Sequence, residues 1–281
     1  MVARTTFLSS LGCLGVGLIL TTASPAGADP IPRYQANVKG NVRVFGSTLT
    51  YDCGSKVLPP PGATASCAGQ KEVSDSAGDL YWRDNLANVS VEPKQARTSA
   101  TLDLPSGSVV TYARLYWSAL KVGDQPDKDA VLDWVNGSPT TIVSDHCHPT
   151  IPFPFSTHPD WFYYQCSGDA TDYVRKLGAG DFRVTDVDAI PLANTLVHVS
   201  YAAWTLVVFY ENPKEEVRNL ALFDGFEKID PEFGPSSVSA TLSGIIVPSG
   251  FAAEMTAFMY KVMFRNKGSL LRIVFWSMVS R

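Results

Sequence analysis

The sequence lacks the short motifs that mark common enzyme classes, and it contains few histidines. It has no Gly-x-Ser-x-Gly nucleophile elbow, no His-Glu-x-x-His zinc motif and no Gly-rich phosphate loop ending in Lys-Ser or Lys-Thr. Only four histidines occur in 281 residues, and three of them are His146, His148 and His158. A catalytic triad would have to be assembled from distant loops, and nothing in the sequence favours one. The sequence therefore predicts a protein that is not an enzyme and that needs no cofactor.

Basic side chains are scarce through most of the chain. Between Asp29 and Tyr260, 17 lysines and arginines face all 27 aspartates and glutamates, which gives a formal net charge of −10. An acidic body of this kind repels nucleic acid and anionic membranes, so we expect no nucleic-acid partner. Residues 261–281 reverse the balance, because they carry five basic residues and no acidic one.

Long apolar runs are also scarce, and the run that bears on the location of the protein in the cell lies at the N-terminus. Phe7–Leu20 is an apolar stretch of 14 residues that follows Arg4 and precedes Ala26-Gly27-Ala28. This arrangement predicts a signal peptide at residues 1–28 that is cleaved before Asp29. The stretch is short for a membrane span of about 20 residues, although a retained N-terminal anchor is the alternative. We therefore expect an exported protein in the periplasm, at the cell surface or outside the cell, and not transmembrane after cleavage.

Four cysteines remain once Cys13 is removed with the signal peptide: Cys53, Cys67, Cys147 and Cys166. An even count in an exported chain favours disulfides, and local pairing of Cys53 with Cys67 and of Cys147 with Cys166 is the simplest of three connectivities. Each bridge would close a loop rich in turn-forming residues and stabilise the fold by roughly 3 kcal/mol.

A metal site is the alternative use of the second cysteine pair. His146, Cys147, His148, His158 and Cys166 lie close together in the sequence and carry the atoms that zinc prefers. Zinc sites favour spacings such as Cys-x-x-Cys, however, and consecutive residues of an extended chain point to opposite sides. The spacing therefore favours a disulfide and predicts no metal.

Segments that alternate or are rich in β-branched and aromatic residues recur along the chain, and they predict strands. These segments are Asn41–Thr50, Ser99–Leu104, Val109–Trp117, Ala130–Val135, Phe182–Val187, Tyr201–Tyr210, Val217–Phe223, Ser237–Ile246 and Ala252–Met259. Tyr201–Tyr210 is nearly all apolar, which predicts a central strand buried on both faces. One short helix is predicted at Thr171–Leu177, before Gly178. The pattern predicts an all-β, antiparallel sandwich or jelly-roll-like domain over residues 29–260.

Two kinds of candidate site remain. The acidic pairs Asp75 with Asp79 and Asp186 with Asp188 could serve glycoside hydrolysis, or calcium binding at the first pair. Aspartates in such loops are more often turn-forming residues, and we favour that interpretation. Trp161-Phe162-Tyr163-Tyr164 lies in the predicted disulfide loop, where Trp161, Tyr163 and Tyr164 could stack on sugars.

Several stretches occur in a characteristic order and spacing. They are Gly40-Asn41-Val42 leading to Tyr51-Asp52-Cys53-Gly54, then SDSAGDLYWR, ARTSATLDLPSGSVVTYARLYWSA, AAWTLVVFYENP and VRNLALFDGFE. Over about residues 37–260 this series resembles a domain of exported myxobacterial and related bacterial cell-surface proteins, of the adventurous-gliding-motility type. The resemblance implies an extracellular β domain with a surface or adhesive role. It carries over no catalytic residue, and its most recognisable motif falls at Asp224-Gly225.

The resemblance also bears on residues 261–281. Domains of this type continue after the strand that ends near Tyr260 with Glu-Gly-Asp, and later with an Asn-Gly turn. Codons for Lys261–Phe264, displaced by one base, can encode Glu-Gly-Asp-Val, and those for Ile273–Val279 can encode a sequence that ends in Asn-Gly. We therefore expect 261–281 to be out-of-frame translation. The alternative is a genuine cationic tail with Leu270–Trp276 as a final strand.

Together these observations predict a non-enzymatic structural or adhesion domain at the cell surface. Its expected partners are components of the cell envelope or an extracellular polysaccharide. The first alternative is a carbohydrate-binding module that uses the loop at Trp161–Tyr164. The second is a secreted hydrolase of unknown substrate.

Overall fold

The computed structural model describes residues 30–49, 93–95, 98–134, 137–154, 157–190, 202–229, 242, 253–263 and 270–280. Over these residues the chain is mostly antiparallel strand, with one α-helix and one 3-10 turn at Pro93–Gln95. In chain order the strands and the helix are β1 (Ile31–Thr48), β2 (Thr98–Leu102), β3 (Val109–Val122), β4 (Asp129–Trp134), β5 (Thr140–Val143), β6 (His146–Cys147), β7 (Ile151–Pro152), β8 (Trp161–Asp169), α1 (Thr171–Leu177), β9 (Gly180–Thr185), β10 (Ala202–Glu211), β11 (Val217–Asp224), β12 (Lys228–Ile229), β13 (Ala253–Met263) and β14 (Leu270–Ser280).

The described strands form a large sheet and a small one. The large sheet has ten strands in the order β12-β14-β11-β1-β10-β3-β8-β6, with β13 paired to β14 and β7 paired to β8. The small sheet has four strands in the order β2-β9-β4-β5. The architecture is therefore the all-β, sandwich-like fold that the sequence predicts.

Strand β1 connects the two halves of the large sheet. Residues 31–39 pair with β11, and residues 40–48 pair with β10. The change of partner falls at Gly40, where a Cβ would collide with the carbonyl oxygen of Tyr210. Glycine at this position lets the backbones approach closely at the point where the strand leaves one partner for the other.

One core lies between the two sheets. It joins buried side chains of β3, β8 and β10 in the large sheet to those of β4 and β9 in the small sheet and of α1. Trp117, Trp204 and Phe182 are among its largest members, and each is at most 1% exposed. Burial of one such aromatic ring stabilises the fold by about 2 to 3 kcal/mol.

A second core lies on the opposite face of β3, β8 and β10. It combines Tyr116, Tyr163 and Phe209 of those strands with Leu220 and Leu222 of β11. In a flat sheet, β3 and β11 would be about 14 Å apart, because β10 and β1 separate them. The Tyr116 hydroxyl nevertheless donates a hydrogen bond to Asp224 at the end of β11. The large sheet therefore curls, so that its β11 side covers the second core.

Most of the predicted elements are confirmed. The helix occupies Thr171–Leu177 as predicted, and β10 is a central strand whose residues 202–210 are all buried. Tyr116 and Trp117 point to opposite faces of β3, and both are fully buried because each face carries a core. The predicted strand Ser237–Ile246 falls, apart from residue 242, outside the described residues.

Two segments differ from the predictions. Trp161–Tyr164 is not in a loop but begins β8, an interior strand of the large sheet. Strand β1 begins ten residues before the predicted Asn41, at Ile31.

The described part of the tail includes β14, which pairs with β13 and β11. The out-of-frame interpretation of residues 261–281 stays a prediction.

Candidate functional site

The most unusual group of side chains in the described structure surrounds Asp224, the last residue of β11. The Asp224 carboxylate is fully buried, and it accepts hydrogen bonds from the Tyr116 hydroxyl and from Nε of Arg33. The Nε atom of Arg114 lies 3.9 Å from Asp224 Oδ2. A buried carboxylate without such partners would cost several kcal/mol. These two hydrogen bonds and the nearby positive charge of Arg114 therefore compensate for burial of the carboxylate.

Arg114 extends the group towards the surface. Its guanidinium forms a two-pronged ion pair with Asp145, in which Nη1 lies 3.1 Å from Oδ2 and Nη2 bonds to Oδ1. Its Nε atom also donates to the Ser167 hydroxyl at 3.0 Å. Arg114 is 3% exposed, whereas Asp145 is 51% exposed. We call the following six residues the Asp224 cluster: Arg33, Arg114, Tyr116, Asp145, Ser167 and Asp224.

The charges of the Asp224 cluster balance, since two guanidinium groups face two carboxylates. Burial and the nearby charge of Asp224 raise the pKa of Tyr116 well above its usual value, so the phenol stays neutral and donates. Burial is the largest single effect and would lower the pKa of Arg114, but the hydrogen bond to Asp145 and the nearby Tyr116, Tyr112 and Asp224 together raise it. Burial would also raise the pKa of Asp145, but the hydrogen bond to Arg114 and the positive charges of Arg114 and Arg33 together lower it.

The cluster joins two of the sequence motifs on which the family resemblance depends. Arg114 and Tyr116 belong to the stretch ARLYW on β3, and Asp224 ends the stretch LALFD on β11. Both carboxylates already accept hydrogen bonds from arginines, which favours a structural role over proton transfer. Through these hydrogen bonds and ion pairs, the Asp224 cluster connects β11 to β1 and β3 and so joins the two parts of the curled sheet.

His146 and His148 flank the cluster on and just after β6. Their rings lie 4.6 Å apart between centroids, and His148 also stacks on Phe226 at 6.0 Å. The Nε2 atoms of both histidines are buried and have no hydrogen-bond partner in the described structure. Burial, together with the positive charges of neighbouring groups, lowers the pKa of His146 and lowers that of His148 to about 4. Both imidazoles are therefore neutral at pH 7.

The predicted disulfide between Cys147 and Cys166 is present, and it joins directly opposed residues of β6 and β8. Both sulfur atoms are consumed by this bond, so neither can act as the thiolate ligand of a metal. His158 lies against the Trp161 ring instead, with 3.8 Å between the ring centroids. Within the described residues, no group of three or more His, Cys, Asp or Glu side chains could hold a metal. Cys53 and Cys67 lie outside the described residues.

The aromatic residues predicted as ligand contacts are placed in the cores. Trp161 is 3% exposed, Tyr163 is 1% exposed and Tyr164 is fully buried. The Tyr164 hydroxyl donates to the carbonyl oxygen of Asp188 at 2.7 Å. This placement corrects the ligand-contact interpretation, because no open ring face remains for a sugar to stack on. The cause is that the segment is an interior strand with a core on each side.

The acidic pair at Asp186 and Asp188 lies in the irregular segment just after β9. Asp186 has a φ of 62°, a left-handed conformation that aspartate adopts more readily than most residues. Lys121 Nζ lies 2.9 Å from Asp188, and Lys94 Nζ lies 3.6 Å from Asp186. The two carboxylates thus bind different lysines and form no shared site. Asp75 and Asp79 lie outside the described residues.

Sequence reasoning missed a second group of motif residues with internal partners. The Asn212 side chain, just after β10, donates to the Ser106 carbonyl oxygen at 3.2 Å and to the Ser108 hydroxyl at 3.0 Å. Trp204 Nε1 donates to the Thr98 hydroxyl at 2.9 Å. The stretch AAWTLVVFYENP is thereby bonded to ARTSATLDLPSGS. The sequence signal that could have indicated this contact is Asn212 itself, a polar residue directly after the apolar strand β10.

Comparison with known proteins identifies no homologous family, protein or structure, since the chain matches no protein-family model, no curated protein and no solved structure. Over the described residues, no helix is long and apolar enough to cross a membrane.

Proposed function

We propose that the chain is an exported structural or adhesive domain of a bacterial cell-surface protein, and that it is not an enzyme. The observation that carries this proposal is the disulfide between Cys147 and Cys166, because such bonds persist in oxidising compartments and are rare in the cytosol. It agrees with the signal peptide expected at residues 1–28.

The use of the polar motif residues supports a structural role. Arg114, Tyr116 and Asp224 bond to one another or to other residues of the fold, and Asn212 holds the turn before β3. Buried polar groups that are satisfied internally make a fold rigid and specific. A fold that is cross-linked by a disulfide and whose polar groups are bonded internally would suit a domain that presents a binding surface outside the cell.

The first experiment is localisation of the protein in the producing cells. Antibodies raised against the folded domain would be applied to intact cells, to released periplasm and to lysed cells. We expect labelling of intact cells or recovery in the periplasm. Signal that is restricted to the cytosolic fraction, with a cytosolic protein as the fractionation control, would contradict the proposal.

The second experiment separates adhesion from catalysis. Cells that lack the gene would be compared with complemented cells in assays of attachment and of cell-to-cell cohesion. We expect reduced attachment that is restored by the unchanged gene. Sustained turnover of a polysaccharide or ester substrate by the purified domain, abolished by one carboxylate or serine substitution, would instead establish a hydrolase.

A further inference from the structure

A groove of about 550 Å³ lies between β5 and α1, on the side of the small sheet. We call it the Thr141 groove and define it by six of its lining residues: Thr111, Thr141, Asp169, Asp172, Tyr173 and Arg175. Its volume falls within the range of about 300 to 1,000 Å³ that is usual for sites of small ligands.

Two polar groups of the groove, the Tyr173 hydroxyl and the Arg175 guanidinium, are held in place by hydrogen bonds to neighbouring backbone groups. The Tyr173 hydroxyl donates to the Ser138 carbonyl oxygen at 2.7 Å and accepts the Trp134 N–H at 3.1 Å. The Arg175 guanidinium donates to the carbonyl oxygens of Val110 at 2.8 Å and Thr111 at 3.0 Å. Such anchoring reduces the entropy that a side chain loses when a ligand binds.

One charged pair of the groove faces solvent. Asp172 Oδ1 lies 3.0 Å from Nη1 of Arg175, and the two side chains are 99% and 45% exposed. An exposed pair of this kind contributes little to stability. It offers a carboxylate acceptor beside a guanidinium donor, which matches the neighbouring hydroxyl groups of a sugar ring.

The surrounding chemistry decides between ligand classes. Threonine hydroxyls, two carboxylates and one guanidinium line the groove, and Ile142 and Ala170 are its only aliphatic lining residues among those described. A lipid or an apolar peptide would find little apolar surface there. The charges of Asp169, Asp172 and Arg175 leave one net negative charge, and the acidic body adds to it, so an anionic ligand would be repelled. A neutral, hydroxyl-rich ligand remains.

We propose that the Thr141 groove binds a neutral oligosaccharide segment of an extracellular polysaccharide. The inference rests on the proposed function as a surface domain and names its ligand class. It assigns sugar recognition to Thr141, Asp172 and Arg175, and not to the buried aromatic residues of β8.

The test is affinity electrophoresis of the purified domain in native gels. The gels would contain dextran, galactomannan or xyloglucan as neutral probes, and dextran sulfate as the anionic probe. We expect at least one neutral polysaccharide to retard the domain and dextran sulfate not to do so. Retardation by none of the neutral probes, or by dextran sulfate alone, would overturn the proposal.

Two groove variants and one matched control locate the site. Asp172→Asn and Thr141→Val should each weaken binding to the retarding polysaccharide at least tenfold, because each removes a polar contact at the surface. Asp160→Asn removes the same charge from an exposed position outside the groove and should leave binding unchanged. Equal binding by all three variants would also overturn the proposal. Localisation of the protein is measured separately, so failure here leaves the proposed surface role to its own test.

Discussion

At the scale of single residues, the charge of Asp224 depends on its partners. The carboxylate is fully buried, and its hydrogen bonds come from Arg33 and Tyr116, which belong to β1 and β3. Removal of one partner from a buried ion pair usually costs about 3 to 5 kcal/mol, because the remaining charge stays buried without compensation. The stability of the curled sheet should therefore be sensitive to this side chain.

The first prediction concerns Asp224→Asn. The substitution keeps the shape of the side chain but leaves Arg33 without its carboxylate, so the free energy of unfolding should fall by about 3 kcal/mol or more. Urea unfolding followed by tryptophan fluorescence measures this change. The exposed Asp160→Asn is the matched control and should shift stability by less than about 0.5 kcal/mol. A loss below about 1 kcal/mol for Asp224→Asn would show that the Asp224 cluster contributes little to the stability of the fold.

The second prediction concerns pH and His148. Burial, the adjacent His146 ring and the positive charges of Arg33 and Arg114 lower the pKa of His148 from its usual 6.5 to about 4. Between these values the unfolded chain binds a proton that the folded chain does not. The free energy of unfolding should therefore fall by about 3 kcal/mol from this group as the pH decreases from about 6.5 to about 4. Below that pH this group should cause no further decrease.

Urea unfolding at a series of pH values measures this dependence. A His148→Gln variant should lose part of the decrease between pH 6.5 and 4, whereas His158→Gln should keep it. His158 is a suitable control because it lies against Trp161, away from the Asp224 cluster. An unchanged pH dependence in His148→Gln would mean that another group titrates in this range.

At the scale of elements, the disulfide fixes the short strand β6 to β8. Strand β6 contains only His146 and Cys147, which pair with β8, and the flanking Asp145 and His148 each donate one backbone hydrogen bond to β8. So short a strand has little stability of its own, so the covalent bond should supply much of the constraint. Asp145, which binds Arg114, directly precedes this strand, so the disulfide also positions one end of the Asp224 cluster.

The third prediction follows from this arrangement. Cys147→Ser combined with Cys166→Ser should lower the free energy of unfolding by about 2 to 4 kcal/mol, the usual value for closing a loop of this length. Chemical denaturation of the oxidised domain and of the double variant measures the difference. Addition of a reductant should destabilise the unchanged domain more than it destabilises the double variant, in which only the predicted Cys53–Cys67 bond remains to be reduced. Equal stability of all samples would show that the bond is dispensable.

The elements also show which parts of the secondary structure could be predicted from the sequence alone. The boundaries of α1 were predictable because Gly178 follows a short amphipathic segment and stops it, and β10 was predictable from its unbroken apolar run. Strand β8 was not, because its apolar run stops at Tyr164 and the prolines before it suggested a loop. The contact between Asp224 and Arg33 spans 191 positions, and local pattern contains no information on such a pairing.

At the scale of the whole molecule, two cores share the strands β3, β8 and β10. One face of these strands packs on the small sheet, and the other is covered by the β11 side of the curled sheet. Polar motif residues lie where these layers meet, and they bond to each other. The Thr141 groove instead opens on the surface, beside β5 and α1. The molecule thus combines an interior with many internal polar contacts and a polar surface groove, an arrangement that would suit the adhesive role proposed above.

The central claim is that this body is exported and oxidised, and mass spectrometry of the protein isolated from its own cells tests it most directly. The protein would be alkylated without reduction and then digested. The account predicts a mature N-terminus at Asp29 and a linked peptide pair that contains Cys147 and Cys166. Recovery of an intact Met1 terminus, together with alkylated Cys147 and Cys166, would contradict it.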